Sequence, residues 1–503
     1  MRHWKKSALL AAWLLLAAAL LGGCAQQLEA RPLTDVSGTD IIPGMDAPAQ
    51  DEIAGSRQRV LLYFFSGDGA QLEPVSREID VPGGVSVMRA ALEALLGGPL
   101  DGEGGIWPDL GLPIVARSLE VSGGVAIVNL PARVRTLSQE TLYAMRAAIA
   151  NTLTEFAQVR YVSVLVGGRE EGFDLAATLP VGAMTRTADL DVAAGYDRLE
   201  QIRQSAEGFT QATVMYLPSA DGRYVLPEVR AVDYAQMTPI EYLYTLLEEM
   251  GMGTSSDLVS RSIPAPMLFI EDMPEIVRTE DGAYRAIEVR FEAALDEALA
   301  AAGLSRGIYI AMLTHTLMGA VPGVEGLKVH IGSEVITGIS AEHAPDGRPV
   351  AFSQVLATRE DFSAYLGAPV TVYAIAQGGG GLIAEQRVLA QNRQSEPRAQ
   401  LETLIAMWGD RAATAPLTGA DVLAVSADGD EYAVNLSGAF ADALCALDEA
   451  EAKSAVYAMV NTLTEGSRRG GVTFYFEGEQ MSRTLGGVEM RGRLARNPGM
   501  VVD

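Results

Sequence analysis

Cysteine is nearly missing from this chain of 503 residues, which holds two, Cys24 and Cys445. If Cys24 is consumed as described below, Cys445 has no partner and an internal disulfide is excluded. In the run AFADALCAL it sits among apolar residues and reads as a small hydrophobe. Histidine is just as scarce, with four in all. His315, His330 and His343 lack a ligand spacing such as HExxH, so no zinc site is implied, and His330 reads as an ordinary strand residue. Glycines 378–381 are not followed by Lys-Ser/Thr, which excludes a phosphate loop there, and no serine sits in a G-x-S-x-G setting. No cofactor is implied. Basic residues are also short, with 38 Lys and Arg against 64 Asp and Glu and a net charge of −26. So acidic a surface argues against nucleic acid, whose binding depends on neutralising phosphates. Aromatics make up 6% while hydrophobic residues make up 49%, the profile of an Ala-rich globular protein rather than a disordered one.

What is present begins at the N-terminus. Arg2, Lys5 and Lys6 precede 14 apolar residues, Ala8 to Leu21. That run is too short to span a bilayer, which takes about 20 residues, but it fits a signal-peptide core. It ends in Leu21-Gly22-Gly23-Cys24, which resembles a bacterial lipobox. The resemblance implies cleavage before Cys24 and acylation of its thiol, with more than one chain for stable anchoring. Cleavage removes three cations and no acid, leaving the remainder more acidic still. Residues 1–24 are therefore expected to be a lipoprotein signal peptide. Residues 25–57, with Pro32, Pro43 and Pro48, are expected to be a flexible tether.

The rest repeats. RVLLYFFSGDGAQLEPVSREI, ATVMYLPSADGRYVLPEVRAV and VTVYAIAQGGGGLIAEQRVL align so that Tyr63, Tyr216 and Tyr373 fall 153 and 157 residues apart, as do Arg77, Arg230 and Arg387. Each reads as a hairpin around a glycine-containing turn. A helix follows each, with apolar positions at i, i+3 and i+4: Leu92/Leu95/Leu96, Leu243/Leu246/Leu247 and Leu401/Leu404/Ile405. Gly97, Gly251 and Gly409 stand where such helices stop. A second hairpin turns at Gly123-Gly124, Asp281-Gly282 and Asp428-Gly429. A second helix and a closing strand complete each segment, with Asp448 and Glu451 marking one helix start. The order β-β-α-β-β-α-β predicts an α+β fold of three tandem small sandwich modules, with helices on one face of a mostly antiparallel sheet. The expected modules are 58–186, 211–339 and 368–486, with 187–210 and 340–367 as links and 487–503 as a tail.

Four features in order, the opening Tyr-Phe hairpin, the helix ALEALLGGP (91–99), the strand GVAIVNL (124–130) and the helix AxxNTLTE (148–155 and 458–465), resemble the GerMN domain of the spore germination protein GerM family. Segments one and three match best. Segment two departs at MLTHTLMG, with His315 where the others have Asn151 and Asn461. The resemblance implies modules like those that build rings between membranes, on a cell-surface lipoprotein connected with sporulation or germination. Two such units is the familiar arrangement, and a third is a departure.

Candidate binding residues follow from what repeats. Asn151 with Glu155, and Asn461 with Glu465, could form a sugar-binding or acid/base pair; the plainer alternative has the asparagine bonding backbone at a helix–strand junction. Segment two keeps the pattern without them, which favours the plainer alternative. Asn129 and Asn435 in the VNL strands are expected to cap or bridge in the same way. Arg77, Arg230 and Arg387 are candidates for ion pairs within a unit or for an acidic partner. No catalytic residue is assigned. The reading is a non-catalytic scaffold of the cell envelope, anchored to the outer face of the membrane through Cys24, with envelope proteins or itself as partners. The alternative is an accessory lipoprotein that acts on or binds peptidoglycan.

Overall fold

The computed structural model describes residues 45–172, 179–187, 190–205, 208–235, 238–278, 285–376, 380–409, 417–467 and 469–502. Ala8–Leu21, Cys24, the turn Asp281-Gly282 and Gly378 and Gly379 lie outside the described residues. Among the described residues, no helix is long and apolar enough to cross a membrane.

The first unit begins with the hairpin β1 (Ser56–Phe65) and β2 (Leu72–Val81), followed by α1 (Val87–Leu96). Then come β3 (Ser118–Ser122), β4 (Val125–Leu130), α2 (Gln139–Leu153), β5 (Tyr161–Val166) and, after a connection, α3 (Val192–Ser205). The second unit repeats the order as β6 (Phe209–Pro218), β7 (Val225–Tyr234), α4 (Pro239–Glu249), β8 (Ile270–Arg278) and β9 (Arg285–Phe291), then an extra helix α5 (Ala294–Ala301), α6 (Arg306–Ala320) and β10 (Gly326–Ile331). The third is β11 (Gly367–Ile375), β12 (Leu382–Ala390), α7 (Pro397–Gly409), β13 (Val422–Asp428), β14 (Glu431–Leu436), an extra helix α8 (Gly438–Ala446), α9 (Glu449–Leu463) and β15 (Gly471–Phe476). The fold is thus mixed α and β, with the predicted element order present in all three segments, the divergent one included.

Local chemistry starts these helices. Ser86, Ser138, Thr238, Ser305 and Asp448 each accept a backbone N–H of the first turn, and Pro239 occupies a first-turn position where its missing N–H costs nothing. Each opening hairpin is a two-stranded ladder of its own, paired from Ser56↔Val81 to Phe65↔Leu72 in the first unit. The second half of each unit forms another sheet in which β3–β4, β8–β9 and β13–β14 are antiparallel. The closing strand pairs parallel in every case, β4 with β5, β9 with β10 and β14 with β15. A helical crossover returns the chain in its original direction, so strands joined this way pair parallel.

Strand β4 is buried on both faces. Ala126, Val128 and Leu130 enter the core of the first unit, while Val125 and Ile127 join the core of the second. Alternate residues therefore serve two cores, which is why VAIVNL carries an apolar run instead of a polar alternation. The equivalent face of the third unit is covered by the N-terminal segment. Tyr475 donates its hydroxyl to the carbonyl of Met45, and Asn435 donates Nδ2 to that of Pro48 at 3.2 Å.

Residues 45–53 depart from the tether expected over 25–57, whose residues 25–44 lie outside the described residues. Glu52–Ile53 pairs parallel with β13, and the Asp51 carboxylate binds the Arg398 guanidinium and accepts the Val425 N–H at 2.8 Å. The expected link 340–367 and the tail also belong to the units, and the end of the expected first module, at Met184, is placed alike. Met184 bridges Val162 and Ala357 bridges Leu327, both antiparallel. A further strand β16 (Arg493–Ala495) pairs antiparallel with Gly471–Thr473. Each unit thus ends in an arm that returns to the edge of its closing strand, at Val162, Leu327 and Val472. Proline and polar composition suggested free chain; hydrogen bonding to an open sheet edge overrides it.

Candidate functional site

The arms place an arginine over the repeated tyrosine two residues past each contact. Arg186 lies 5.8 Å from the ring centroid of Tyr63, Arg359 lies 5.2 Å from that of Tyr216, and Arg496 lies 5.3 Å from that of Tyr373. The tyrosine is fixed from its backbone as well. Its N–H donates to a threonine hydroxyl on the second long helix: Tyr63 to Thr152 at 3.2 Å, Tyr216 to Thr316 at 2.9 Å and Tyr373 to Thr462 at 3.0 Å.

A carboxylate completes each cluster. In the first unit, Tyr63 donates its hydroxyl to Glu155 Oε1 at 2.5 Å. Arg186 Nη2 donates to that hydroxyl at 2.7 Å and lies 2.6 Å from Glu155 Oε1. The third unit repeats the geometry with Tyr373, Glu465 and Arg496, and the sequence separations match, 92 residues to the glutamate and 123 to the arginine in both units. Burial first, then the neighbouring carboxylate, pushes the phenols of Tyr63 and Tyr373 up to about 12. The tyrosines therefore stay protonated donors, and each glutamate accepts from both its tyrosine and its arginine.

The second unit solves the same problem differently. Gly319 stands three residues after Thr316, where Glu155 and Glu465 follow Thr152 and Thr462 by three. The missing carboxylate comes from the first unit. Glu120 on β3 accepts from the Tyr216 hydroxyl at 3.1 Å and from Arg359 Nη2 at 3.3 Å. Arg359 also donates to the carbonyl of His315 at 2.6 Å, and the His315 ring lies 4.8 Å from that of Tyr216. Arg359 and Glu120 are 7% and 15% exposed, against 48% and 27% for Arg186 and Glu155. Burial holds the His315 imidazole well below its usual range, so this cluster contains one cation and one anion. Nearby, Glu170 N–H donates to Met318 O at 2.9 Å and the Gly323 N–H to Glu170 O at 3.0 Å, stitching the two units together. The buried Glu170 carboxyl faces Arg146 Nη2 at 3.2 Å.

The predicted site residues are divided by this geometry. Glu155 and Glu465 belong to the clusters. Asn151 and Asn461 are fully buried: Asn151 donates to Ala147 O at 2.9 Å, while Asn461 exchanges two bonds with the backbone of Asn497, at 3.0 and 2.9 Å. A side chain without exposure is not offered to a ligand, so the pairing of Asn with Glu as a sugar or acid/base site separates; the asparagine bonds backbone. Asn129 and Asn435 accept the N–H groups of Gly168 and Gly478 at 2.8 and 2.9 Å, fastening the turn after each closing strand. Arg77 and Arg230 cap helices, Arg77 donating to Ala94 O and Gly98 O at 3.0 Å while binding Glu103, and Arg230 donating to Glu249 O at 2.6 Å. Cations at a helix C-terminus satisfy orphan carbonyls and oppose the dipole. Arg387 instead pairs with Glu385 along its own strand. Cys24, the predicted lipidation site, lies outside the described residues.

Arg186, Arg359, Arg496 and Glu120 escape the sequence reading, although a signal exists. Met184-Thr185-Arg186, Ala357-Thr358-Arg359 and Leu494-Ala495-Arg496 share an apolar, small, arginine pattern after each closing strand. His330, expected as an ordinary strand residue, lies 3.1 Å from Glu288 and 3.3 Å from Arg290 on the outer side of the second unit's sheet.

Two segments of the chain, residues 61–172 and 371–482, match the Germane family, described as sporulation and spore germination. They are the first and third units, and both are Germane domains. Among solved structures, the chain is similar to the tandem GerMN domains of the sporulation protein GerM from Bacillus subtilis, at 18% identity over 60% of this chain and 99% of that one, with a TM-score of 0.23. It is also similar to the first GerMN domain of that protein, at 22% identity over 27% of this chain and 97% of the other, with a TM-score of 0.20. A putative lipoprotein from Clostridium perfringens matches at 24% identity over 24% of this chain and 80% of its own, with a TM-score of 0.14. A comparison with curated proteins matches none of them.

Proposed function

We propose that this chain, with its two Germane domains, is a lipid-anchored, non-catalytic scaffold of the cell envelope that serves sporulation or spore germination. The observation that carries the reading is the pair of matched segments, 61–172 and 371–482, in a family described by that process. The leader ending in Leu21-Gly22-Gly23-Cys24 supports the anchor. Support for a scaffold comes from what the repeat does with its polar residues. Glu155 and Glu465, the carboxylates placed for acid/base work, are each held by an arginine and a tyrosine. Both carboxylates are thereby committed to contacts within their own unit, which is the work of a brace. Three modules on one anchor also raise the effective concentration of weak repeated contacts.

The test is deletion of the gene in its native host, scored by yield of heat-resistant spores and by germination of those spores. A defect restored by the wild-type gene but not by Cys24→Ala is the expected result. Normal spores with normal germination overturn the sporulation assignment, and full rescue by Cys24→Ala overturns the anchor. Cell-wall turnover by the purified chain, abolished by Glu155→Gln or Glu465→Gln, would replace the scaffold with a peptidoglycan-acting enzyme.

A further inference from the structure

A cleft of about 670 Å³ separates the two Germane domains. That volume lies within the range of ligand sites, about 300–1,000 Å³. The first domain contributes its α1 start, the apolar side chains of Leu119 and Val121, and Gln158 just past α2. The third contributes the base of β11, the short turn Gln391–Arg393 with the start of α7, Tyr432 and the end of α9 at Glu465.

Its chemistry is unlike the rest of the molecule. In a chain of net charge −26, the lining holds one cation and one acid, Arg89 and Glu465, and both are already paired, with Glu93 and Arg496. The polar character comes instead from five primary amides, Gln158, Gln391, Asn392, Gln394 and Gln400. Two of these are fixed: Gln400 donates Nε2 to Gln394 O at 3.1 Å, and Gln394 donates Nε2 to Pro369 O at 3.4 Å. The side-chain amides of Gln158, Gln391 and Asn392 make no hydrogen bond to the described residues. Each such amide presents two donors and a two-lone-pair acceptor at neutral charge. Sugar hydroxyls, each donor and acceptor at once, complement that set, and a neutral ligand meets no repulsion from the acidic surface. Apolar Leu119 and Val121 with the half-buried ring of Tyr432 supply a face for the C–H side of a pyranose.

We infer that the cleft between the first and third units binds a neutral polyhydroxylated chain, a glycan, through Gln158 and the Gln391-Asn392 turn. The source expected for that glycan, the envelope, rests on the location proposed above; the recognition chemistry does not. The full chain in detergent micelles is titrated with the N-acetylglucosamine tetramer by calorimetry, and is separately sedimented with purified peptidoglycan sacculi. The same is done for Gln158→Ala/Asn392→Ala, whose two positions are exposed and whose melting curve is expected to match wild type. Binding of either probe by wild type, weakened at least tenfold in the double variant, supports the site. Binding of the tetramer alone assigns a free saccharide, and binding of sacculi assigns a wall glycan. No binding of either probe, or binding unchanged in the double variant, overturns it. Spore phenotypes do not enter these readouts, so the site and the sporulation reading fail separately.

Discussion

The tyrosine clusters of the first and third units are built from one unit each, whereas that of the second is built from two. Glu155 and Glu465 stand three residues past a recurring threonine on their own helix, while Gly319 leaves that position bare and Glu120 reaches across from β3 of the first unit. The same three chemical groups meet in all cases. The self-sufficient clusters remain open to solvent, and the borrowed one is sealed between units. A position left bare inside the repeat is thus served by a contact between units.

The largest effect that can break this comparison is removal of the arginine from the sealed cluster. Arg359→Ala leaves the Glu120 carboxylate and Tyr216 hydroxyl buried without their cation, a loss expected to cost about 3–5 kcal/mol. Arg496→Ala, at a cluster whose glutamate is 41% exposed, is expected to cost about 1 kcal/mol or less, because water replaces the partner. Denaturant unfolding of both variants measures the difference. Equal costs would show that the second cluster is no more an interface than the third.

A second test lies in the seam beside it. Burial pushes the Glu170 carboxyl up to about 7, against the Coulomb pull of Arg146. An acid whose pKa is higher folded than unfolded holds its proton more tightly in the native state. Stability is then complete below the unfolded value of about 4.5 and declines as pH rises toward 7. The two values span a loss on the order of 3 kcal/mol, at about 1.4 kcal/mol per unit. Melting of the full chain across that window should show the decline, and Glu170→Gln should flatten it. A flat wild-type profile would mean that the carboxyl is solvated and the seam is open.

What the sequence revealed and what it concealed divide along the same line. Hairpins, helices and closing strands were legible because glycine turns, apolar periodicity and caps such as Asp448 are local, and they survive in the second segment although its NTLTE motif does not. Glu155 and Glu465 were legible because they recur in register. The arginines were not: all three lie in arms past the closing strand, where the predicted element order ends, and Arg359 follows Tyr216 by 143 residues where Arg186 and Arg496 follow their tyrosines by 123. Glu120 could not be found by repetition at all, because it belongs to another copy of the repeat. The described end of the expected tether, residues 45–53, was misjudged for a related reason. Composition describes what a segment can do in isolation, whereas residues 45–53 are ordered by an edge strand, β13, more than 370 residues away in the chain. Asn151 and Asn461 recur as the glutamates do, yet their burial assigns them to the frame. Recurrence marks importance to the unit without saying whether the unit or a ligand is served.

The finest test rebuilds the lost group. Gly319 lies in α6, and a Cβ added there would sit 3.4 Å from Arg359 Nη1, so a carboxylate at this position can reach the guanidinium. Replacing a helical glycine is itself worth about 1 kcal/mol, so Gly319→Ala supplies the baseline. In wild type, Gly319→Glu adds a second carboxylate to an arginine that already holds Glu120, and like charges offset the gain. In a Glu120→Ala background, the new carboxylate replaces the missing one and restores the pattern of the first and third units. The expected coupling between the two sites is about 0.5–1 kcal/mol in favour of the double variant, measured as a double-mutant cycle against Gly319→Ala. Additive effects would mean that Glu120 and the vacant helix position are not alternatives, and that the second unit's cluster arose as an interface instead of inheriting the one its neighbours keep.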